Sequence, residues 1–437
     1  MTLLAGQRLE LRITSATASG EGVGPHGGRQ VHVPGAFPGE RVRARVEAVA
    51  RQSPRVFAVL EEVLEASPAR RPSPCAASDR AGGRCGGCPL ITLAEPAQRE
   101  LKRAALREVH GLEVASLEAP PLELGYRLSA KRVAFGGPGR VRLGSWQRGS
   151  QRPAHMDGCV VDHPTLTEAA AALEEALAET RIAAFDARDG TGLLRAVWLK
   201  GDGARVLVTL VTATPGPGDE AVLRRVAASL PVHGVAWSVK TGAGASLRGA
   251  PATALAGTPE LRFDLGEGTL EVGPLAFLQP NPAVAEHMYD ALVGTQHGAL
   301  ALDLYAGAGL TTRRLARRFS RVVASEANAE AAARLGIAPE PVNDVLARLI
   351  ANGERPELIV ANPPRAGLGP EVARALGRLG APALRMLACG PAGLRRDLDA
   401  LAAAGYALRE LRAFDPLPQT PHVELLAVLQ RSSSTST

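Results

Sequence analysis

The chain has 437 residues, with 50 Lys and Arg against 44 Asp and Glu, a net charge of +6 and a pI near 9.3. That length exceeds one ordinary core and predicts two or three domains. It contains no apolar run of about 18 residues, which excludes a membrane-spanning helix, and its five cysteines without a secretory leader predict a reducing, cytoplasmic setting rather than a disulfide framework.

Residues 1–67 read as a small all-β domain. GQRLELRITSATASGEGVGPHGGRQVHVPGAFPGERVRARVEAV alternates apolar and polar residues in short runs between Gly/Pro turns, the pattern of a five-stranded, OB-like barrel. Its GEGVG…VHVPGAFPGERV segment resembles the TRAM domain, a barrel attached to RNA-modifying enzymes.

Residues 68–273 are expected to form an α+β central domain. It opens on SPARRPSP and a Gly/Pro-rich loop holding Cys75, Cys85 and Cys88, with Cys159 further on. Four thiols can saturate one tetrahedral zinc or an iron–sulfur cluster, and the chemistry alone leaves both open. The segment 92–112 is a basic helix with apolar residues at helical spacing, expected to pack on the catalytic domain. RVRLGSW, LLRAVWLK, RVLVTLVT and GVAWSVK read as strands, with helices over EAAAALEEALAET and EAVLRRVAASL.

Residues 274–431 change to a strand–loop–helix repeat. ALALDLY, RVVASE, EPVND, ELIVAN and LRMLAC read as successive strands of a doubly wound, Rossmann-like α/β domain, whose ligands bind at the carboxyl ends of the strands. The tail 432–437 is polar and expected to be disordered.

LDLYAGAGL puts Asp303, Gly307 and Gly309 where the first parallel strand turns into a helix, and the glycines let backbone approach a ligand. The next strand ends in Glu326, an acidic residue suited to ribose hydroxyls. Thr312 stands where the third glycine of a dinucleotide loop would be, and no Walker-type Lys follows. S-adenosylmethionine, with a ribose and a sulfonium but no phosphate, suits this pattern better than NAD or ATP.

FLQPN with Gln279, ANPPRAGLG with Asn362, LACGPAGLRRDL with Cys389, and LPQTPHVELLAVL with Glu424 then complete a pattern. Together with the barrel and cysteine loop they resemble the RNA uracil-C5 (5-methyluridine) methyltransferases of tRNA and 23S rRNA, along the whole chain and in the same order. The resemblance implies that Cys389 is the nucleophile and Glu424 the general base. It also implies that Gln279, Tyr305, Glu326 and Asn362 line the S-adenosylmethionine and base pocket. Cys75, Cys85, Cys88 and Cys159 match the ligand order of that family's [4Fe–4S] cluster, although the first gap is long. The layout leans toward 23S rRNA over tRNA as the partner, with a monomeric enzyme expected.

The chemistry explains the residue types. Uracil C5 is too weak a nucleophile to take a methyl group unaided, and a thiolate added at C6 makes the ring enolate-like. C5 then takes the methyl, and a carboxylate must remove the C5 proton before the thiolate can leave. Arg365 and the helix N-terminus after Cys389 are candidate sources of thiolate character.

Three departures from the family stand out. The usual S-C-N-P-x-T is Ala388-Cys389-Gly390-Pro391-Ala392-Gly393, the usual Asp of D-P-P-R is Asn362, and Leu310 replaces a residue that is often polar. Two other readings compete: a cytosine-C5 RNA methyltransferase, whose usual P-P-C is here P-P-R, and a non-catalytic RNA-binding protein with a decayed site. The composition carries 8 Phe, 4 Tyr and 3 Trp, too few for an extended base-stacking platform.

Overall fold

The computed structural model describes residues 3–79, 85–242, 244, 247–265 and 268–432. Five of the six residues of the polar tail, 433–437, therefore lie outside the described residues. The chain divides into two compact units: residues 1–70, 93–121 and 283–437 form the first, residues 71–92 and 122–282 the second.

The first unit opens with strands β1 (Arg8–Arg12), β2 (Ser15–Ala16), β3 (Gly22–His26), β4 (Arg29–Val33), β5 (Arg41–Val49) and β6 (Arg55–Glu65) in one sheet, ordered β1-β5-β6-β4-β3-β2. The expected five strands gain the two-residue β2. Alternation does the folding: Leu9, Leu11, Val42, Ala44 and Val46 point inward, and arginines and glutamates point out. The GEGVG glycines have a steric reason, since a Cβ on Gly22 would meet the Ala36 carbonyl oxygen at 2.5 Å and one on Gly24 the Arg12 carbonyl oxygen at 2.5 Å. Glu40 of the GERV run is fully buried and is satisfied by Phe37 N–H (2.9 Å) and by Arg70 at 2.6 and 2.8 Å.

After a four-residue helix, α1 (Ala76–Asp79), comes α2 (Glu95–His110), with Pro96 in its first turn and Gly111 in the left-handed conformation closing its end. A short strand, β7 (Ser116–Glu118), follows. Residues 93–121, which include the helix expected to pack on the catalytic domain, cluster with the first unit. Leu106, Leu112 and Leu117 are buried in its core.

The second unit is built on β8 (Ser129–Phe135), β9 (Arg142–Trp146), β10 (Pro153–His155), β11 (Leu194–Gly201), β12 (Val206–Thr212), β13 (Gly234–Val239) and β14 (Thr253–Gly257), ordered β10-β9-β8-β11-β12-β13-β14. Helices α3 (Pro164–Ala178) and α4 (Asp219–Ser229) contribute Leu166, Leu173, Leu177, Leu223 and Val226 to its core. A separate hairpin pairs β15 (Leu261–Leu265) with β16 (Gly268–Val272).

Beyond α5 (Pro282–Val293), the first unit continues through β17 (Gly298–Leu304), α6 (Leu310–Ala316), β18 (Phe319–Ser325), α7 (Ala329–Arg334), α8 (Val342–Ala351), β19 (Leu358–Ala361), α9 (Pro370–Leu379), β20 (Ala383–Ala388), α10 (Pro391–Ala403), β21 (Tyr406–Phe414) and β22 (Glu424–Arg431). The sheet runs β18-β17-β19-β20-β22-β21-β7. β18, β17, β19 and β20 are parallel, β22 is antiparallel to both neighbours, and β7 adds parallel to β21.

EPVND, read from sequence as a strand, is not one. Pro341 precedes the first turn of α8 with φ −63°, and Val342, Val345, Leu346 and Leu349 form the buried stripe of a helix. The chain leaves β17 for β18 on one side and returns to β19 on the other, so the carboxyl end of β17 is the switch point where such sheets open a ligand crevice. Among the described residues, no helix is long and apolar enough to cross a membrane.

Candidate functional site

The candidate cofactor residues converge at the carboxyl ends of β17, β18 and β19. Tyr305 follows β17 with φ +63°, a left-handed conformation uncommon for a bulky residue, and starts the turn through Gly307 and Gly309 into α6. Gly307 N–H donates to Glu326 Oε2 at 2.8 Å, and Asn328 N–H donates to Oε1 at 2.6 Å. The carboxylate at the end of β18 is thereby fixed in orientation while each oxygen keeps acceptor capacity. A Cβ on Gly307 would meet nothing within 4 Å, so the backbone borders open space there. Asn362 directly follows β19, anchored through its N–H to the Leu304 carbonyl at 3.2 Å.

Asp303 is fully buried beneath this loop. Burial is the main cause that pushes its carboxyl up to about 7, against the opposing hydrogen bond from Thr312, whose Oγ1 donates to Oδ2 at 2.6 Å. Thr312, read from sequence only as a missing glycine, therefore ties α6 to the end of β17. Gln279 lies in a loop of the second unit, separate from the unit that carries these residues.

Cys389 and Glu424 are brought together by strand register. Ala388, the last residue of β20, pairs with Leu425, so the next step places Cys389 across from Glu424, the first residue of β22. Glu424 also pairs with Phe414 at the end of β21. Both side chains are half-buried. Burial lifts the Glu424 carboxyl to about 7, with Arg365 acting in the opposite direction. The Cys389 thiol is also raised, first by burial and then by the Glu424 charge, although Arg365 hydrogen-bonds to it and lowers it. The cation suggested by the sequence is therefore present, but burial outweighs it.

The two unusual glycines have a local explanation. A Cβ on Gly390 or on Gly393 would meet the Arg365 carbonyl oxygen at 3.1 Å. The Pro364–Ala366 turn thus lies against the start of α10, and small residues there let Arg365 reach Cys389. Asp397 of α10 holds the other end of this loop, accepting from Leu368 N–H (2.8 Å) and Gly369 N–H (3.1 Å).

Sequence reading missed the support of the loop before Glu424. Gln98 of α2 donates to the Leu93 carbonyl and to Gln419 Oε1, both at 2.7 Å, and accepts from Gln419 N–H at 2.9 Å. Gln419 has φ +71°. Four residues along α2, Lys102 Nζ pairs with Asp415 Oδ2 at 2.5 Å, with both side chains almost fully buried. The available signal was Gln98, Lys102 and Leu106 spaced four apart, polar residues on a stripe facing a core.

The four remaining cysteines all lie in the second unit, each half-buried. Cys88 is pushed up to about 12 by burial and then by the charges of Cys159, Cys85 and Cys75, so each of those three thiols sits within electrostatic range of Cys88. Burial and Asp162 also raise Cys159, while Arg132 and the N–H groups of Val161 and Asp162 oppose this. Gly87 N–H donates to Cys85 Sγ at 3.4 Å. Arg127, whose charge stabilises a Cys88 thiolate, has its Nε buried without a hydrogen-bond partner. Among the described residues, no three His, Cys, Asp or Glu side chains converge as a single-metal site.

A family model for the TRAM domain matches residues 3–55. An uncharacterized RNA methyltransferase of Geobacter sulfurreducens is 32% identical over 97% of this chain and 90% of its own length. Another, from Caldanaerobacter subterraneus, is 28% identical over 98% of both chains. The crystal structure of the Pyrococcus abyssi tRNA (uracil-54, C5)-methyltransferase in complex with S-adenosyl-L-homocysteine has the same fold, with a TM-score of 0.78 across 96% of this chain and 99% of that one, at 24% identity.

Proposed function

Because this chain belongs to the RNA methyltransferase family of its 32%-identical relative, we propose that it methylates C5 of a uridine in structured RNA, using S-adenosylmethionine. The observation that carries the reading is the β20–β22 register, which seats Cys389 beside Glu424 with Arg365 hydrogen-bonded to the thiol. Ribose hydroxyls would be held by Glu326, and Tyr305, Gly307, Gly309 and Asn362 would border the cofactor, with Asp303 bracing the loop. The bound cofactor supplies an electrophilic methyl group.

In the proposed reaction, the Cys389 thiolate adds to C6 of the uracil and the π pair of the C5–C6 double bond moves to C5, which would take the methyl as its bond to the donor sulfonium breaks and leaves a neutral thioether. Glu424 then accepts the C5 proton, and the returning electrons expel the thiolate, restoring aromaticity. Glu424 can do this only when ionised. With its carboxyl raised to about 7 and the thiol raised as well, kcat/KM should climb from pH 6 to pH 8. A pH profile that is flat or falling over that window would contradict these roles.

The function is tested by incubating unmodified RNA with the protein and methyl-labelled donor, followed by nucleoside analysis. Label in 5-methyluridine supports the reading. Label in 5-methylcytidine would replace it with the cytosine alternative, although Arg365 occupies the place of that family's P-P-C cysteine. No label from folded protein would leave the binding-only alternative. We favour 23S rRNA as substrate on the barrel-plus-cysteine layout, while the solved structural neighbour acts on tRNA. The RNA fraction that carries the label decides between them. The proposed enzyme is cytoplasmic and monomeric.

We further assign Cys75, Cys85, Cys88 and Cys159 as ligands of a [4Fe–4S] cluster. The nearness of Cys88 to the other three thiols, N–H groups directed at Cys85 and Cys159, and the unsatisfied buried Arg127 Nε support the assignment. Anaerobically purified protein is expected to carry about four iron and four sulfide per chain, the stoichiometry of the cluster. Stoichiometric zinc without sulfide would overturn the assignment.

A further inference from the structure

The hairpin of β9 and β10, in the second unit, carries a feature that the proposed chemistry does not use. Of the three tryptophans, Trp198 is buried, with its Nε1 bonded to the Leu247 carbonyl, and Trp237 bonds Thr212. Trp146, at the end of β9, is 45% exposed. It borders an open groove lined also by Gln147, Arg148 and Gln151. From Arg140 to Arg152 the sequence carries four arginines and no carboxylate, and Arg152 is exposed beside the groove.

Hydrogen bonds brace this surface. Gln147 N–H donates to the Arg152 carbonyl at 2.8 Å, Ser150 N–H to the Gln147 carbonyl at 3.1 Å, and Gln147 Nε2 to the Pro153 carbonyl at 3.1 Å. The cysteine loop braces it from behind. Gly86 N–H donates to the Trp146 carbonyl at 3.0 Å, Cys85 forms a β-bridge with Gln147, and a Cβ on Gly86 would meet Arg148 N at 2.7 Å. A flat aromatic face, braced at an edge that carries Arg148 and Arg152 while Arg142 pairs with Glu174 at 3.6 Å, matches an unpaired nucleobase with its flanking phosphates.

We propose that Trp146 is a stacking platform for one unpaired base of the RNA substrate, with Arg148 and Arg152 contacting the adjoining phosphates. This rests on the RNA reading above and adds a recognition point outside the reacting site. The thin aromatic content argued against an extended platform; a single braced ring is what the structure supplies.

The test uses the full chain, a labelled 12-nucleotide oligouridylate and a duplex RNA of equal length. Trp146→Ala should weaken oligouridylate binding about 5- to 100-fold and change duplex binding less. Trp146→Phe should keep most of the affinity, because it retains an aromatic face, while abolishing the tryptophan fluorescence quench expected with the unaltered chain. Unchanged affinity in Trp146→Ala, a quench that survives in Trp146→Phe, or no binding of oligouridylate by the unaltered chain would each overturn the proposal. The methylation assay reads the function separately: 5-methyluridine formation with unchanged Trp146→Ala binding would defeat the platform and leave the function standing.

Discussion

Glu424→Gln is expected to stall the enzyme after methyl transfer and leave RNA covalently attached through Cys389. The substitution removes the base that takes the C5 proton, so the thiolate cannot be expelled, and turnover should fall by about 10²- to 10⁴-fold. It also removes the neighbouring charge that raises the thiol, so formation of the adduct should not be slowed. On a denaturing gel, labelled RNA should migrate with the protein for Glu424→Gln and run free for Cys389→Ala and for the double variant. An adduct that persists without Cys389 would remove it as nucleophile. Absence of any adduct in Glu424→Gln, with the protein folded and cofactor present, would remove Glu424 as the base.

Lys102→Ala should destabilise the first unit by about 3–5 kcal/mol, because it strands the Asp415 carboxylate in the core without its partner. Burial already pushes Lys102 down and Asp415 up, each held toward its charged form mainly by the other. In thermal unfolding this corresponds to a fall in Tm on the order of 10 °C. Lys102→Met combined with Asp415→Leu should recover most of the loss, since neither charge is then buried. A single variant as stable as the parent would show that the pair contributes nothing. The effect should also reach the reaction: Asp415 begins, and Gln419 lies within, the loop that delivers Glu424 to the start of β22, and both are held by α2. Gln419, strained at φ +71° and buried, depends on Gln98 for that support.

Much of this was legible in the chain. Inward-facing apolar residues at every second position marked the barrel strands, and spacing at three and four marked α2, α3 and α4. The turn at Gly307 and Gly309 and the acid ending the next strand marked the crevice at β17. The error at EPVND has a local origin: five residues are too few to separate a strand from the first turn of a helix, and Pro341 fits the start of either. The helix at 92–112 declared a buried face by its spacing, but an amphipathic pattern alone does not say which core receives it; Leu106 enters the core that holds Leu302 and Leu384.

Sequence by itself determined the kinds of groups available: one isolated thiol at a strand end, a carboxylate in an apolar strand, four further thiols in order, and the local periods that fold each element. Those properties depend on residues a few positions apart. Tertiary structure alone decided that Cys389 faces Glu424, through the pairing of Ala388 with Leu425, and that Gln98 and Lys102 meet Gln419 and Asp415 across more than 300 residues. It also decided the direction of the thiol's shift. Arg365 beside Cys389 favoured a lowered thiol, yet burial and Glu424 together raise it. Desolvation and Coulomb interaction depend on what surrounds a group in space, and the groups that supply them here come from separate strands and loops.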